Sequence, residues 1–204
     1  MDITPQMIKE LKKQKRNFTQ TVDLIVNLSN LDLKKPENRI RDKIKLPNKI
    51  KDVKVCLIVD SLLSKAKEIG CKVLTKSDLE FTKREAKKLA KEYDFFVIEA
   101  PLMPIVAKIL GKYISSRNKP MIPIPPNIKD LKSVIKDLEK TISINVIKNP
   151  VIQVAVGKED AEEEKIIENC KYAIERIKEL AEQKNAQIKS VYLKLTMSKP
   201  IRIL

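Results

Sequence analysis

Residues 189–204 read K-S-V-Y-L-K-L-T-M-S-K-P-I-R-I-L, and their alternation decides how the rest of the chain is read. In an extended strand Val191, Leu193, Leu195 and Met197 share one face, and Ser190, Tyr192, Lys194, Thr196 and Ser198 share the other. The first face is expected in a core. The second offers hydroxyls and an ammonium, which suit a hydroxyl-rich anionic partner such as RNA.

The same pattern stands near the other end of the chain. In N-F-T-Q-T-V-D-L-I-V-N-L (17–28), Phe18, Val22, Leu24, Val26 and Leu28 alternate with Thr19, Thr21, Asp23 and Asn27. This predicts a half-buried strand with a polar face. Arg39 to Leu46 alternates more sharply, with Ile40, Ile44 and Leu46 on one side and Arg39, Arg41, Lys43 and Lys45 on the other. That ridge of four cations is either a phosphate contact or a solvated, aggregation-resistant edge. Residues 141–147 and 150–156 alternate again and read as an antiparallel pair closed by Gly157-Lys158. The longest helix is expected over 158–183, with Asp160 and Glu162 to Glu164 favouring its dipole. Before all of these, Thr4-Pro5 opens a short helix that ends in Lys12, Lys13, Lys15 and Arg16.

Between residues 51 and 140 the pattern changes. Val53 to Val59 is a nearly continuous apolar run, as in a parallel strand buried on both faces. Further strands are expected at 71–74 and 94–98, with helices at 61–69, 77–91, 102–113 and 128–140 and a proline-rich loop at 115–126. Strand–helix alternation of this kind predicts a small three-layer α/β domain with a mostly parallel sheet. The economical architecture is an α+β domain containing both termini, residues 1–50 plus 141–204, interrupted by an inserted α/β domain at 51–140. Two chain crossings join them, and such a neck can act as a hinge.

Composition narrows the function. The 204 residues carry a net charge of +15, from 42 basic and 27 acidic residues, which favours a polyanionic partner. Only seven of the cations are arginine; the 35 lysines suit phosphates better than bidentate base reading. There is no histidine, and the cysteines at 56, 71 and 170 form no C-x-x-C pair. Zinc-finger patterns and histidine-based triads are excluded, and the cysteines read as reduced core residues. The three glycines at 70, 111 and 157 cannot build a glycine-rich phosphate loop. No apolar run reaches the roughly 18 residues of a membrane span, and the N-terminus lacks a signal-peptide core.

Five stretches in this order resemble the ribosomal protein L-one family in its archaeal form: R-N-F-T-Q-T-V-D-L (16–24), K-P-E-N-R-I (35–40), L-P-N (46–48), A-P-L-M-P (100–104) and V-Y-L-K-L-T-M (191–197). The resemblance spans essentially the whole chain. It implies a two-domain stalk protein of the large ribosomal subunit, cytoplasmic and ribosome-associated, monomeric off the ribosome and without a cofactor. The domain holding both termini would bind ribosomal RNA. The same site would repress translation of the protein's own messenger RNA, and the stalk would contact tRNA leaving the exit site. Carried over residue by residue, the RNA-facing positions are Phe18, Thr21 and Asp23 on the first strand and Ser190, Thr196 and Met197 on the last. Ser198 stands where the family has glycine, so a side chain is expected where bare backbone approaches RNA. Ser115-Ser116-Arg117-Asn118 replaces the family's Gly-Pro-Arg-Gly loop.

The residues have a physical role beside the resemblance. The 2′-hydroxyl of RNA both donates and accepts, and the small hydroxyls of Thr21, Ser190 and Thr196 match it. Asp23 suits a base amino group or a 2′-hydroxyl; its ordinary alternative is a salt bridge to a neighbouring strand lysine. Phe18 stacks on a sugar or base, or else it is a core aromatic beside Val22 and Leu24, which alternation alone favours. Met197 carries the same ambiguity. Lys15, Arg16, Arg39, Arg41 and Lys158, with Lys194 on the polar face, supply the salt-dependent phosphate attraction. Two readings of other classes remain: a nucleotide-binding enzyme using Asp60 and Glu99 at strand ends, and a non-ribosomal RNA-binding or interaction module.

Overall fold

The structure, a computed structural model, describes residues 3–13, 16–67, 69–117, 119–128 and 130–204. Lys15 and Asn118 fall outside them. The chain divides into two compact units, 1–51 with 139–204, and 52–138. In chain order the elements are α1 (Pro5–Lys12), β1 (Thr21–Ser29), β2 (Ile40–Lys45), β3 (Val55–Ile58), α2 (Leu63–Lys67), β4 (Lys72–Leu74), α3 (Lys83–Glu92), β5 (Phe95–Glu99), α4 (Met103–Ile109), α5 (Gly111–Ser115), β6 (Met121–Ile124), α6 (Leu131–Glu139), β7 (Thr141–Val146), β8 (Val151–Lys158), α7 (Glu163–Glu182), β9 (Gln187–Leu195) and β10 (Ile201–Arg202).

In the unit holding both termini, four antiparallel strands lie in the order β10-β9-β1-β8. Burial follows period two along β1: Val22, Leu24, Val26 and Leu28 are buried, while Thr21, Asp23, Ile25, Asn27 and Ser29 are half-buried. The buried face packs against α1 through Ile8 and Leu11, and against α7 through Ile166, Cys170, Ile174 and Ile177. Burying each such side chain contributes roughly 1.5–3 kcal/mol. Asn169 on α7 is buried too; it donates to the Val156 carbonyl at 2.8 Å and accepts from the Asn48 amide at 2.9 Å, fixing the L-P-N turn.

Two readings of this unit need correction. Residues 141–147 and 150–156 do not pair with each other: β7 pairs with β2 in a two-stranded sheet, and β8 pairs with β1. Nor does the long helix begin at Lys158. That residue ends β8, and α7 starts at Glu163, with Glu163 and Glu164 in its first turn. A bulge in β8 opposite Val22/Asp23 buries both Val156 and Gly157 and returns Lys158 to a place opposite Thr21. Space is tight there: a Cβ at 157 would stand 3.1 Å from Ile166 Cγ1, so the Ile166 side chain would have to shift by a few tenths of an ångström.

The inserted unit has a parallel sheet in the order β4-β3-β5-β6. β3 and β5 are buried throughout. β6 lies inside the stretch expected to be a loop. Pro123 pairs opposite Ile98 on an edge strand, where the missing N–H leaves no central ladder bond unmade. The helix expected at 77–91 is α3, which begins only at Lys83 with Thr82 as its cap: the Glu85 amide donates to Thr82 Oγ1, and the Glu85 carboxylate accepts from the Thr82 amide at 2.9 Å. Among the described residues no helix is long and apolar enough to cross a membrane.

Candidate nucleic-acid interface

The face of the four-stranded sheet away from α7 carries the predicted polar residues in rows. Asn27 pairs with Ser190, Ile25 with Tyr192, Asp23 with Lys194, and Thr21 with Lys158 on the other side. At one end of the strands the two termini of the unit are tied together. The Thr21 amide donates to Thr196 Oγ1 at 3.2 Å, and the Thr196 amide donates to the Thr21 carbonyl at 3.1 Å. These residues are 175 positions apart in sequence. The Thr196 side chain remains exposed, and its oxygen keeps an acceptor lone pair for a ligand hydroxyl.

β9 stops at Leu195, so Met197 is not the next core residue. The chain turns at Thr196–Ser198 and returns as β10, with Ile201 opposite Leu193. Ser198 makes this turn. Its Oγ accepts from the Leu195 amide at 2.8 Å and donates to the Lys199 carbonyl at 3.1 Å. It is buried, so the side chain expected to meet RNA points into its own turn. Met197 is thereby held outward, 59% exposed, with its amide donating to Gln20 Oε1 at 3.0 Å. Phe18 precedes β1 and is 53% exposed, so the core placement that alternation favours does not apply to it. Two large apolar side chains thus stand in solvent at the two segments that flank the threonine pair.

Gln20 is the residue that alternation passes over. It sits at core parity between Phe18 and Val22, is 1% exposed, and links three segments: its carbonyl accepts from the Glu159 amide at 2.8 Å, and its amide donates to Glu159 Oε2 at 3.2 Å. A polar residue at a buried parity is the signal that could have found it. Arg16, Asn17, Phe18, Thr19, Glu159 and Asp160 line an open groove of about 440 Å³ beside this junction. Asp23 lies half-buried opposite Lys194. Burial pushes its carboxyl above the usual range, and the Lys194 charge offsets part of that rise.

Not every predicted residue joins this cluster. Ser190 lies six residues from Thr196 along the polymer, about 20 Å in an extended strand, and it is buried with its hydroxyl accepting from Asn27 Nδ2 at 2.8 Å. Arg39 and Arg41 are exposed, but they belong to the start of β2, in the separate two-stranded sheet.

Comparison with known proteins identifies the group to which this framework belongs. A profile of the ribosomal protein L1p/L10e family matches residues 9–199. The chain belongs to that family. It is 40% identical to the large ribosomal subunit protein uL1 of Pyrococcus abyssi, over 97% of this chain and 94% of the relative. It is 39% identical to the uL1 proteins of Thermococcus kodakarensis (97% and 95% coverage) and Methanothermobacter thermautotrophicus (96% and 94%). The family is one of ribosomal proteins, and the chain is not an enzyme. Of the two carboxylates that suggested catalysis, Glu99 has a structural reading: it accepts from the Asp60 amide at 2.7 Å, from the Ser61 amide at 3.1 Å and from the Ser61 hydroxyl. Burial raises its carboxyl, but these donors outweigh burial and hold it below the usual range.

Proposed function

We propose that this chain is a large-subunit ribosomal protein that binds ribosomal RNA at the mobile stalk through the unit holding both termini. The observation that carries the reading is the Thr21–Thr196 junction, where the exposed Thr196 hydroxyl and the half-buried Thr21 stand beside two outward apolar side chains, Phe18 and Met197. Hydroxyls discriminate RNA by its 2′-hydroxyl, and Phe18 stacks on a sugar or base. Asp23 accepts from a 2′-hydroxyl or a base amino group, with Lys194 beside it to limit repulsion of phosphates. Arg16 and Lys158 at the junction supply salt-dependent attraction; Arg39 and Arg41 act on a second stretch of backbone from their own sheet. The names of the relatives, all large-subunit proteins, support the ribosomal setting.

The same surface would bind a similar fold in the protein's own messenger RNA, giving repression, and the stalk would meet tRNA as it leaves. Co-sedimentation of the full chain with large subunits, followed by footprinting of the subunit RNA, tests the reading. Protection confined to one stem-loop is expected. Absence of the chain from the large-subunit fraction contradicts it.

A further inference from the structure

We propose that α3 of the inserted unit, with the groove beside it, is a second RNA-docking face that takes an unpaired nucleotide and its flanking phosphates. This inference is independent of the threonine junction. Helix α3 reads K-R-E-A-K-K-L-A-K-E over Lys83–Glu92. At about 100° per residue, Lys83, Lys87, Lys91, Arg84 and Lys88 follow one another around an arc of about 140°. All five are exposed. Ala86, Leu89 and Ala90 occupy the side that faces the core.

The cations are not explained by the helix itself. Lys83 and Arg84 stand in the first turn, where the helix dipole disfavours positive charge. Among the described residues none of the five lies within salt-bridge distance of a carboxylate, whereas other surface lysines such as Lys49 and Lys119 are paired. Five clustered, unpaired cations repel one another, and a polyanion relieves that repulsion.

The groove adds the second observation. Lys72, Glu80, Phe81, Glu85, Lys88, Leu89, Glu92 and Tyr93 line an open groove of about 360 Å³. Lys88 belongs to both the arc and the groove, so the two surfaces are continuous. Phe81 and Tyr93 are half-exposed there, and Tyr93 is braced edge-on against the buried Phe96 at a centroid distance of 6.5 Å. Rigid half-exposed rings are stacking platforms for bases. The groove carboxylates repel phosphate but accept hydrogen bonds from the exocyclic amino groups of bases. Glu85 is already turned to Thr82 in the cap and Glu92 to the Tyr93 hydroxyl, which leaves Glu80 for this role. Base inside the groove and phosphates along the arc is the arrangement that satisfies both sets of charges.

The test uses the full chain and an unstructured oligoribonucleotide of about ten nucleotides carrying one 4-thiouridine, a length within the usual span of single-strand sites. In the unaltered protein, ultraviolet cross-linking should place the label on a peptide containing Phe81 or Tyr93. The variant K83Q/K87Q/K91Q, altered only at exposed positions, should bind this probe about a hundredfold more weakly near 0.1 M salt, with the slope of log K against log salt reduced by about 2. Cross-links confined to the threonine junction, or an unchanged salt slope in the triple variant, would overturn the proposal. A triple variant that weakens binding without any cross-link to Phe81 or Tyr93 would overturn the base-in-groove arrangement.

Discussion

At the scale of single residues, stability and binding pull apart at Asp23. Its folded-state carboxyl is raised by burial against the partial offset of Lys194. The folded state therefore holds this proton more tightly than the unfolded chain. Stability falls as pH rises from the ordinary carboxylate range through the raised value, and the loss is complete once Asp23 is ionised in both states. D23N should raise the melting temperature at neutral pH and flatten the acid-range dependence, yet weaken RNA binding. Thermal melts and filter binding on one preparation check both halves; a lower melting temperature at neutral pH would make Asp23 a structural partner of Lys194. Ser198 invites the opposite expectation. S198A strips the buried Leu195 amide of its acceptor, which costs about 1–3 kcal/mol. A urea midpoint equal to that of the unaltered chain would contradict the turn-forming role.

At the scale of elements, alternation made β1 and β9 legible because burial on one face alone imposes period two. The same period does not mark where a strand stops. Met197 and Phe18 keep the parity of the core residues beside them, but hydrogen bonds from Ser198 and Gln20 end the sheet first and leave both side chains in solvent. The Gln20–Met197 bond joins positions 177 apart, which no local pattern records. β6 escaped notice because proline argues against a strand unless the strand is known to be an edge. Glu99 shows the same limit: its apolar surroundings predict burial, but its donors come from the loop after β3. Because its folded carboxyl is lowered, its contribution is fully present above the ordinary unfolded range and is lost as pH falls towards the lowered value. E99Q, which cannot accept through both terminal atoms, should lower the melting temperature near neutrality and weaken the acid dependence. An unaltered acid profile would remove Glu99 from the account.

At the scale of the whole molecule, the chain leaves the first unit after residue 51 and re-enters it at 139. Segments near opposite ends of the sequence thereby share one sheet, which an uninterrupted reading of either end misses. Charge is spread over both units, so the salt dependence of RNA binding counts phosphates and not the residues that discriminate. Each phosphate contacted should steepen the slope by about 0.7–0.9. In the proposed reading, discrimination rests on the Thr21–Thr196 junction. The measurement that tests it most directly is the affinity of T196V and T196S for the protected large-subunit RNA fragment, at one salt concentration and with folding checked by melting. T196S, which keeps the hydroxyl, should bind like the unaltered chain, and T196V should bind more weakly by about 1–3 kcal/mol. Equal affinity for T196V and the unaltered chain would contradict the assignment of RNA recognition to this junction.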